Sequence, residues 1–398
     1  MTSVCNRLYA VQAHWHAGKM ILVADWIMLM KMKIAYLAIF ASQVVLGGCG
    51  DESTTRIAID DGEPQMARRV IVHDGIEREY FVHVPATVTG PMPVVLAIHG
   101  YTSTATGFEA AHNLNPHADK HGYIVVYPQG SHFSTDLPNG SAYRVTSWND
   151  LAANMPPTPE GPHCIADADQ YPCPPECGSC NRCAWTSCND DVGFISRLLD
   201  DVEAEFATDP ERYYMLGVSN GGMMALRLGC NLSQRFAAIA PIIAQLAPGY
   251  ACGPSVDLPM LHLYGGMDNT VRHDGTPAGD GFIYTTAERS TQVWANALSC
   301  KSGPLPWENR FSRAGGLSCN AWSDCDIEGH EVVSCMEPGT GHEWPGQGIQ
   351  GMPATCVTPE QYESMPDQAR CPEPGRESVD TGMDLVWDFF SRYRRKMD

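Results

Sequence analysis

The stretch Arg212-Tyr-Tyr-Met-Leu-Gly217-Val-Ser219-Asn-Gly221-Gly-Met-Met-Ala-Leu-Arg-Leu228 decides the fold. Its first five residues are aromatic and aliphatic and suit a buried strand. Gly222 to Leu228 is a run of good helix formers. Between them stands G-x-S-x-G, so the stretch reads as strand, sharp turn and helix, the pattern of a nucleophile elbow. Gly217 and Gly221 lack a Cβ and let strand and helix close around a serine held in strained geometry. Ser219 is the candidate nucleophile. The N–H of Asn220, at the helix start, is a candidate oxyanion donor.

Strands and helices alternate outward from this point. Val70–His73 and Arg78–Pro85 alternate apolar and polar residues and predict an opening hairpin through Asp74-Gly75. Met92–His99 and Tyr123–Tyr127 are continuous apolar runs, as in strands buried on both faces of a mostly parallel sheet. Phe108–Lys120, Asp190–Phe206, Thr285–Leu298 and Met383–Tyr393 predict helices. Phe236–Ile243, Pro259–Tyr264 and Val332–Met336 predict further strands. The alternation implies an α/β sheet.

Two segments break the pattern. Residues 151–189, rich in Pro, Gly and Cys, and residues 301–330 are expected to be irregular inserts over the surface. The 398 residues and 44% hydrophobic content allow one large α/β domain with additions. The formal charge of −20 argues against nucleic acid and anionic membrane surfaces as partners.

Lys31-Met-Lys33, the apolar run Ile34–Leu46 and Leu46-Gly-Gly-Cys49 form a secretory leader over residues 1–48. Residues 1–29 read as an over-extended start or an unusually long n-region of the leader. Small residues before Cys49 resemble a bacterial lipobox, which makes Cys49 the candidate lipidation site and the one expected link to a membrane. Residues 49–67 read as a polar tether, and 68–398 as the catalytic domain. Removing residues 1–48 leaves a net charge of −23.

Fourteen of the 16 cysteines follow Cys49. An even number in an exported chain reads as a disulfide framework. Pairs Cys319–Cys325, Cys356–Cys371 and Cys300–Cys335 are the first guesses. The C-x3-C-x2-C-x2-C cluster at Cys173–Cys183 is compatible with a metal, but export favours disulfides, and no metal or cofactor is expected.

An elbow serine needs an acid and then a base further along the chain. Asp268 follows the Pro259 strand in Gly265-Gly-Met-Asp268, at the strand end where parallel sheets gather their active groups. Asp274 and Asp280 are its competitors. His342, in Gly339-Thr-Gly-His342-Glu-Trp-Pro-Gly346 after the last strand, is the candidate base. His262 is expected in the core, and His163, His273 and His330 in the inserts. His99-Gly100-Tyr101-Thr102 ends an early strand. Tyr101 is expected to give the second oxyanion N–H, with Thr102 next in line. Trp148 and Trp344 are candidate walls of a substrate site, with core packing as the alternative.

Taken together, Val94–Gly100, Ile124–Gln129, Ser147-Trp-Asn149, Asp190–Phe194, Gly217–Met224, Tyr264–Asp268 and Gly341–Gly346 resemble the exported polyhydroxybutyrate depolymerase and feruloyl or acetylxylan esterase-like group of the α/β hydrolases. The resemblance covers residues 68–393. It implies an α/β-hydrolase fold and a serine esterase acting through an acyl-enzyme, with Ser219, Asp268 and His342 as the triad. The implied partner is an ester substrate, either a polyester or an acylated polysaccharide or small ester. A peptidase of the same fold and a non-catalytic binding lipoprotein are the alternatives.

Overall fold

The computed structural model describes residues 66–396 except 87, 113, 137–141, 152–154, 308–315, and 346–380 apart from 356–357 and 369–370. The leader, Cys49, nearly all of the tether and Cys371 of the expected Cys356–Cys371 pair lie outside the described residues.

The opening hairpin forms as the alternation predicts. β1 (Ala67–His73) pairs antiparallel with β2 (Ile76–His83). Asp74 and Gly75 carry the positive φ values, 50° and 77°, that a two-residue hairpin turn needs. The apolar runs become β3 (Met92–Ile98) and β4 (Ile124–Pro128), buried along their whole length. The expected helix over 108–120 is two helices, α1 (Ala105–His112) and α2 (Leu114–His121). β5 (Ser131–Asp136) and β6 (Ala142–Ser147) form a separate antiparallel hairpin that the sequence reading did not anticipate. Then follow α3 (Asp191–Glu205), β7 (Thr208–Val218), α4 (Asn220–Asn231), β8 (Ala238–Ile242), β9 (Met260–Gly265) and α5 (Ala287–Ala297). The order continues with β10 (Ser302–Pro306), β11 (Ser318–Ser323), β12 (Val332–Glu337), the short β13 (Cys356–Val357) and β14 (Ala369–Arg370), and α6 (Thr381–Phe390).

Ten strands make one sheet in the order β1-β2-β4-β3-β7-β8-β9-β12-β11-β10. The six from β4 to β12 run parallel, and an antiparallel pair flanks them at each side. The segment 301–330 therefore corrects the sequence reading: β10 and β11 extend the sheet. β10, at the sheet edge, is Ser-Gly-Pro-Leu-Pro and exposed, so its Gly and Pro read as a loop, while β11, one strand further in, buries Cys319, Ala321 and Trp322.

β3 shows how the layers are built. Val94, Leu96 and Ile98 join one hydrophobic core, with Phe194 and Leu198 of α3, Met223 and Leu226 of α4 and Trp294 of α5. Val95 and Ala97 join the other, with Phe108 of α1, Leu114 of α2 and Leu385, Phe389 and Phe390 of α6. The period-two alternation of a strand sends neighbours to opposite faces, so a strand covered on both faces is apolar throughout. Each fully buried Leu or Phe contributes about 1.5–3 kcal/mol.

The cysteine pairing differs from the first guesses. Cys319 and Cys335 are directly opposed across β11 and β12, and Cys300 bonds Cys325. Strand register, not nearness in sequence, decides these pairs. The cluster in the first insert closes as Cys173–Cys180, Cys177–Cys188 and Cys164–Cys183, and Cys230 bonds Cys252. None of these thiols is left to hold a metal.

Candidate functional site

β7 ends at Val218 and α4 begins at Asn220, so Ser219 is the whole turn between strand and helix. Its backbone has φ 57° and ψ −124°, a sparsely populated region for a residue with a Cβ. Neighbouring strands hold it there. Its N–H donates to Ile242 O of β8 at 2.9 Å, and its carbonyl accepts from Met223 at 2.9 Å. A Cβ on Gly221 would lie 2.2 Å from Ile98 O and 2.4 Å from His99 O. Only glycine lets the first turn of α4 press against the end of β3.

His342 and Asp268 reach the serine from two other strand ends. His342 Nε2 is 2.9 Å from Ser219 Oγ, and His342 Nδ1 is 2.8 Å from Asp268 Oδ2. The Asp268 side chain is 1% exposed. Its Oδ1 accepts from the N–H groups of Thr270 and Val271 at 2.8 and 2.9 Å, which fixes the carboxylate for the imidazole. The loops carrying acid and base are joined to each other. Met267 N–H donates to Thr340 O and Gly266 N–H to Glu337 O, both at 2.9 Å. A Cβ on Gly265 would lie 2.2 Å from Gly341 O, so the His342 loop crosses directly over the end of β9. The competitors are committed elsewhere. Asp274 pairs with Arg272 at 2.7 Å, and that guanidinium holds its carboxyl well below the usual carboxylate range. Asp280 accepts from Tyr171 Oη at 2.6 Å. His262 is buried in β9, against Ala244 O at 3.0 Å, and burial pushes its imidazole down to about 4.

The loop after β3 passes against the elbow. A Cβ on Gly100 would be 3.2 Å from Val218 O and 3.4 Å from Ser219 Cβ. Tyr101 comes next, so its backbone leaves the loop beside the serine. Thr102 does not fit the role of reserve donor, because its N–H already donates to Thr146 O of β6 at 2.8 Å. His99 anchors the loop. Its Nδ1–H donates to Gly100 O at 2.8 Å, and its Nε2 accepts from Gly130 N–H at 2.9 Å. Burial holds the ring neutral, pushed down to about 4.

The two tryptophans expected to line the substrate site are core residues. Trp148 is 0% exposed; its Nε1–H donates to His99 O at 2.9 Å, and its ring packs on His99 and Phe194. Trp344 is 3% exposed and packs with His112 in the core on the α6 face. Tryptophan is large enough to serve in either place, so its position near a motif does not separate the two.

The sequence reading missed what binds this site together. Asn220 contributes more than a backbone N–H. Its side-chain Oδ1 accepts from Trp148 N–H at 2.7 Å, and its Nδ2 donates to Trp148 O at 3.1 Å. The next residue, Asn149, donates its N–H to Asp191 Oδ2, and Asp191 pairs with Arg78, both at 2.7 Å. Tyr101 meets Trp185 edge-on at 5.1 Å and Tyr171 at 6.0 Å, so the disulfide-bonded insert packs aromatic rings on the loop beside Ser219. The pairing of Asp191 within Asp190-Asp-Val-Gly-Phe194 and Asn149 within Ser147-Trp-Asn149 was the available signal.

A mostly parallel sheet, a serine at a strained strand-to-helix turn, and acid and base at successive strand ends define an α/β hydrolase. No family model matches the chain. NocK of Nocardia uniformis subsp. tsuyamanensis, provisionally named an esterase, is 27% identical over 76% of this chain and 80% of its own length. Feruloyl esterase B of Piromyces equi is 25% identical over 69% of this chain and 44% of its own. Poly(3-hydroxyalkanoate) depolymerase C of Paucimonas lemoignei is 24% identical over 54% and 42%. The chain thus spans less than half the length of these last two relatives. Its sequence is similar to esterases and depolymerases of this kind.

Proposed function

We propose that the protein hydrolyses carboxylic esters through an acyl-enzyme on Ser219. The observation that carries this reading is the hydrogen-bonded order Ser219 Oγ, His342, Asp268, with distances of 2.9 and 2.8 Å from three separate strand ends. His342 Nε2 takes the serine proton as Oγ bonds to the ester carbonyl. The oxyanion is held by the N–H groups of Tyr101 and Asn220. Collapse breaks the ester C–O bond, and His342 returns the proton to the leaving alcohol. Water, deprotonated by His342, then attacks the acyl-enzyme and releases the acid. Asp268 fixes the imidazole tautomer and stabilises the imidazolium.

The substrate class is a polyester or an acylated polysaccharide. The names of two relatives, a feruloyl esterase and a poly(3-hydroxyalkanoate) depolymerase, motivate that pair. The protein is exported, with residues 1–48 as leader, Cys49 as a lipid-bearing residue, 49–67 as tether and 68–398 as the catalytic domain. Six disulfides among the described residues support an oxidising compartment.

Ser219→Ala tests the chemistry. Turnover of a short nitrophenyl ester should fall about 10⁵–10⁶-fold, and fluorophosphonate labelling should vanish. Wild-type turnover in this variant would overturn the assignment. A panel of polyhydroxybutyrate film, methyl ferulate and acetylated xylan separates the substrates. Mass measurement of the exported protein, wild type against Cys49→Ser, tests the anchor.

A further inference from the structure

Apart from the Ser219 site, α2 carries two histidines one helical turn apart, His117 and His121, on one face. Their rings stack with centroids 4.2 Å apart. α6 brings Asp384 to the same place. Its Oδ1 is 3.0 Å from His117 Nε2 and 3.9 Å from His121 Nε2. One ligand atom from each of the three residues lies within 4.8 Å of the others. A tetrahedral ion with bonds of about 2.0–2.2 Å spaces its ligand atoms roughly 3.3 Å apart. The two distances from Asp384 lie on either side of that spacing.

The surroundings fit a ligand set as well. His117 Nδ1 is 2.8 Å from Tyr123 Oη. With Nε2 turned to an ion, Nδ1–H donates to the phenol oxygen, the outer contact that orients a ligating imidazole. Tyr123 is itself stacked on Trp387 of α6 at 4.4 Å. A hydrogen bond between His117 and Asp384 alone would need no second imidazole beside the same carboxylate oxygen.

We propose that His117, His121 and Asp384 bind a divalent transition metal, zinc in the first place. Two imidazoles and one carboxylate match zinc in ligand type and leave a fourth position for water. The ion would cross-link α2 to the closing helix α6 and stabilise the fold.

The test is zinc binding by the full chain, first stripped with a chelator and then titrated in competition with a chromophoric one. Thermal unfolding is followed in parallel. One tight zinc is expected, with a Tm that rises with zinc concentration. His121→Asn and Asp384→Asn should each weaken it at least about 100-fold, the upper end of what losing an outer partner costs, and Tyr123→Phe about tenfold. Near-UV circular dichroism establishes that the variants fold. His73→Asn, in the more exposed His73–Asp74–Asp190 group, should leave zinc affinity unchanged. Equal affinity in wild type and both ligand variants, loss of the site in His73→Asn, or no zinc held against the chelator would each overturn the proposal.

Discussion

Ser219 sits where most side chains would not, at φ 57°, because strand and helix leave no other path. Asn220 beside it serves two purposes. Its N–H is one of the first-turn donors that no helical carbonyl can take, while its side chain grips both backbone groups of Trp148. Asn220→Ala keeps the N–H and loses the grip. It should cost about 2 kcal/mol of stability, since it strips partners from buried polar groups. It should also lower kcat about tenfold; denaturant titration and steady-state kinetics measure the two effects. Unchanged stability would show that the Trp148 segment is held by other contacts. The motif made Ser219 and its backbone legible. The clamp was not legible, because Trp148 and Asn220, 72 positions apart in the chain, meet only on folding.

At the scale of elements, acid and base hang from the ends of β9 and β12 on loops that are hydrogen-bonded to each other. Gly265→Ala would put a Cβ 2.2 Å from Gly341 O and force the His342 loop to move. An error of about 1 Å in a reacting group costs on the order of 100-fold. We expect that loss in kcat/KM for Gly265→Ala, with fluorophosphonate labelling slowed but not abolished. Buried parallel strands were legible from their apolar runs. The edge strand β10 was not, because its exposed Gly and Pro residues read as a loop, and β11 beside it, with Cys319, Ala321 and Trp322 buried, is only six residues long inside an otherwise irregular stretch. The same blindness misassigned Cys319, whose partner is set by the register of β11 on β12.

For the molecule as a whole, buried neutral histidines set an acid limit. His99 and His262 are pushed down to about 4 by burial, from an ordinary value of 6.5. Between those values the unfolded chain binds protons that the folded one does not. Stability is therefore full above pH 6.5 and falls as pH drops towards 4, by roughly 3 kcal/mol for each histidine. Urea midpoints across that window should decline, and His262→Asn should flatten the decline; a level wild-type profile would contradict it. The disulfides act on the unfolded chain instead. Cys230→Ser with Cys252→Ser opens a loop of 22 residues and should cost about 3 kcal/mol, read as a lower denaturation midpoint.

The chain alone determined a doubly covered parallel sheet, a serine at its central turn, and the order in which acid and base follow. Those features are local: apolar runs, glycines and strand ends written within a few residues. Only the tertiary structure decided that Trp148 and Trp344 are packed inside, that Thr102 has given away its N–H, and which cysteines meet. It likewise brought His117, His121 and Asp384 together from two helices. Each of these depends on distant segments sharing one small volume, and burial, register and hydrogen-bond pairing exist only once the sheet has closed its layers.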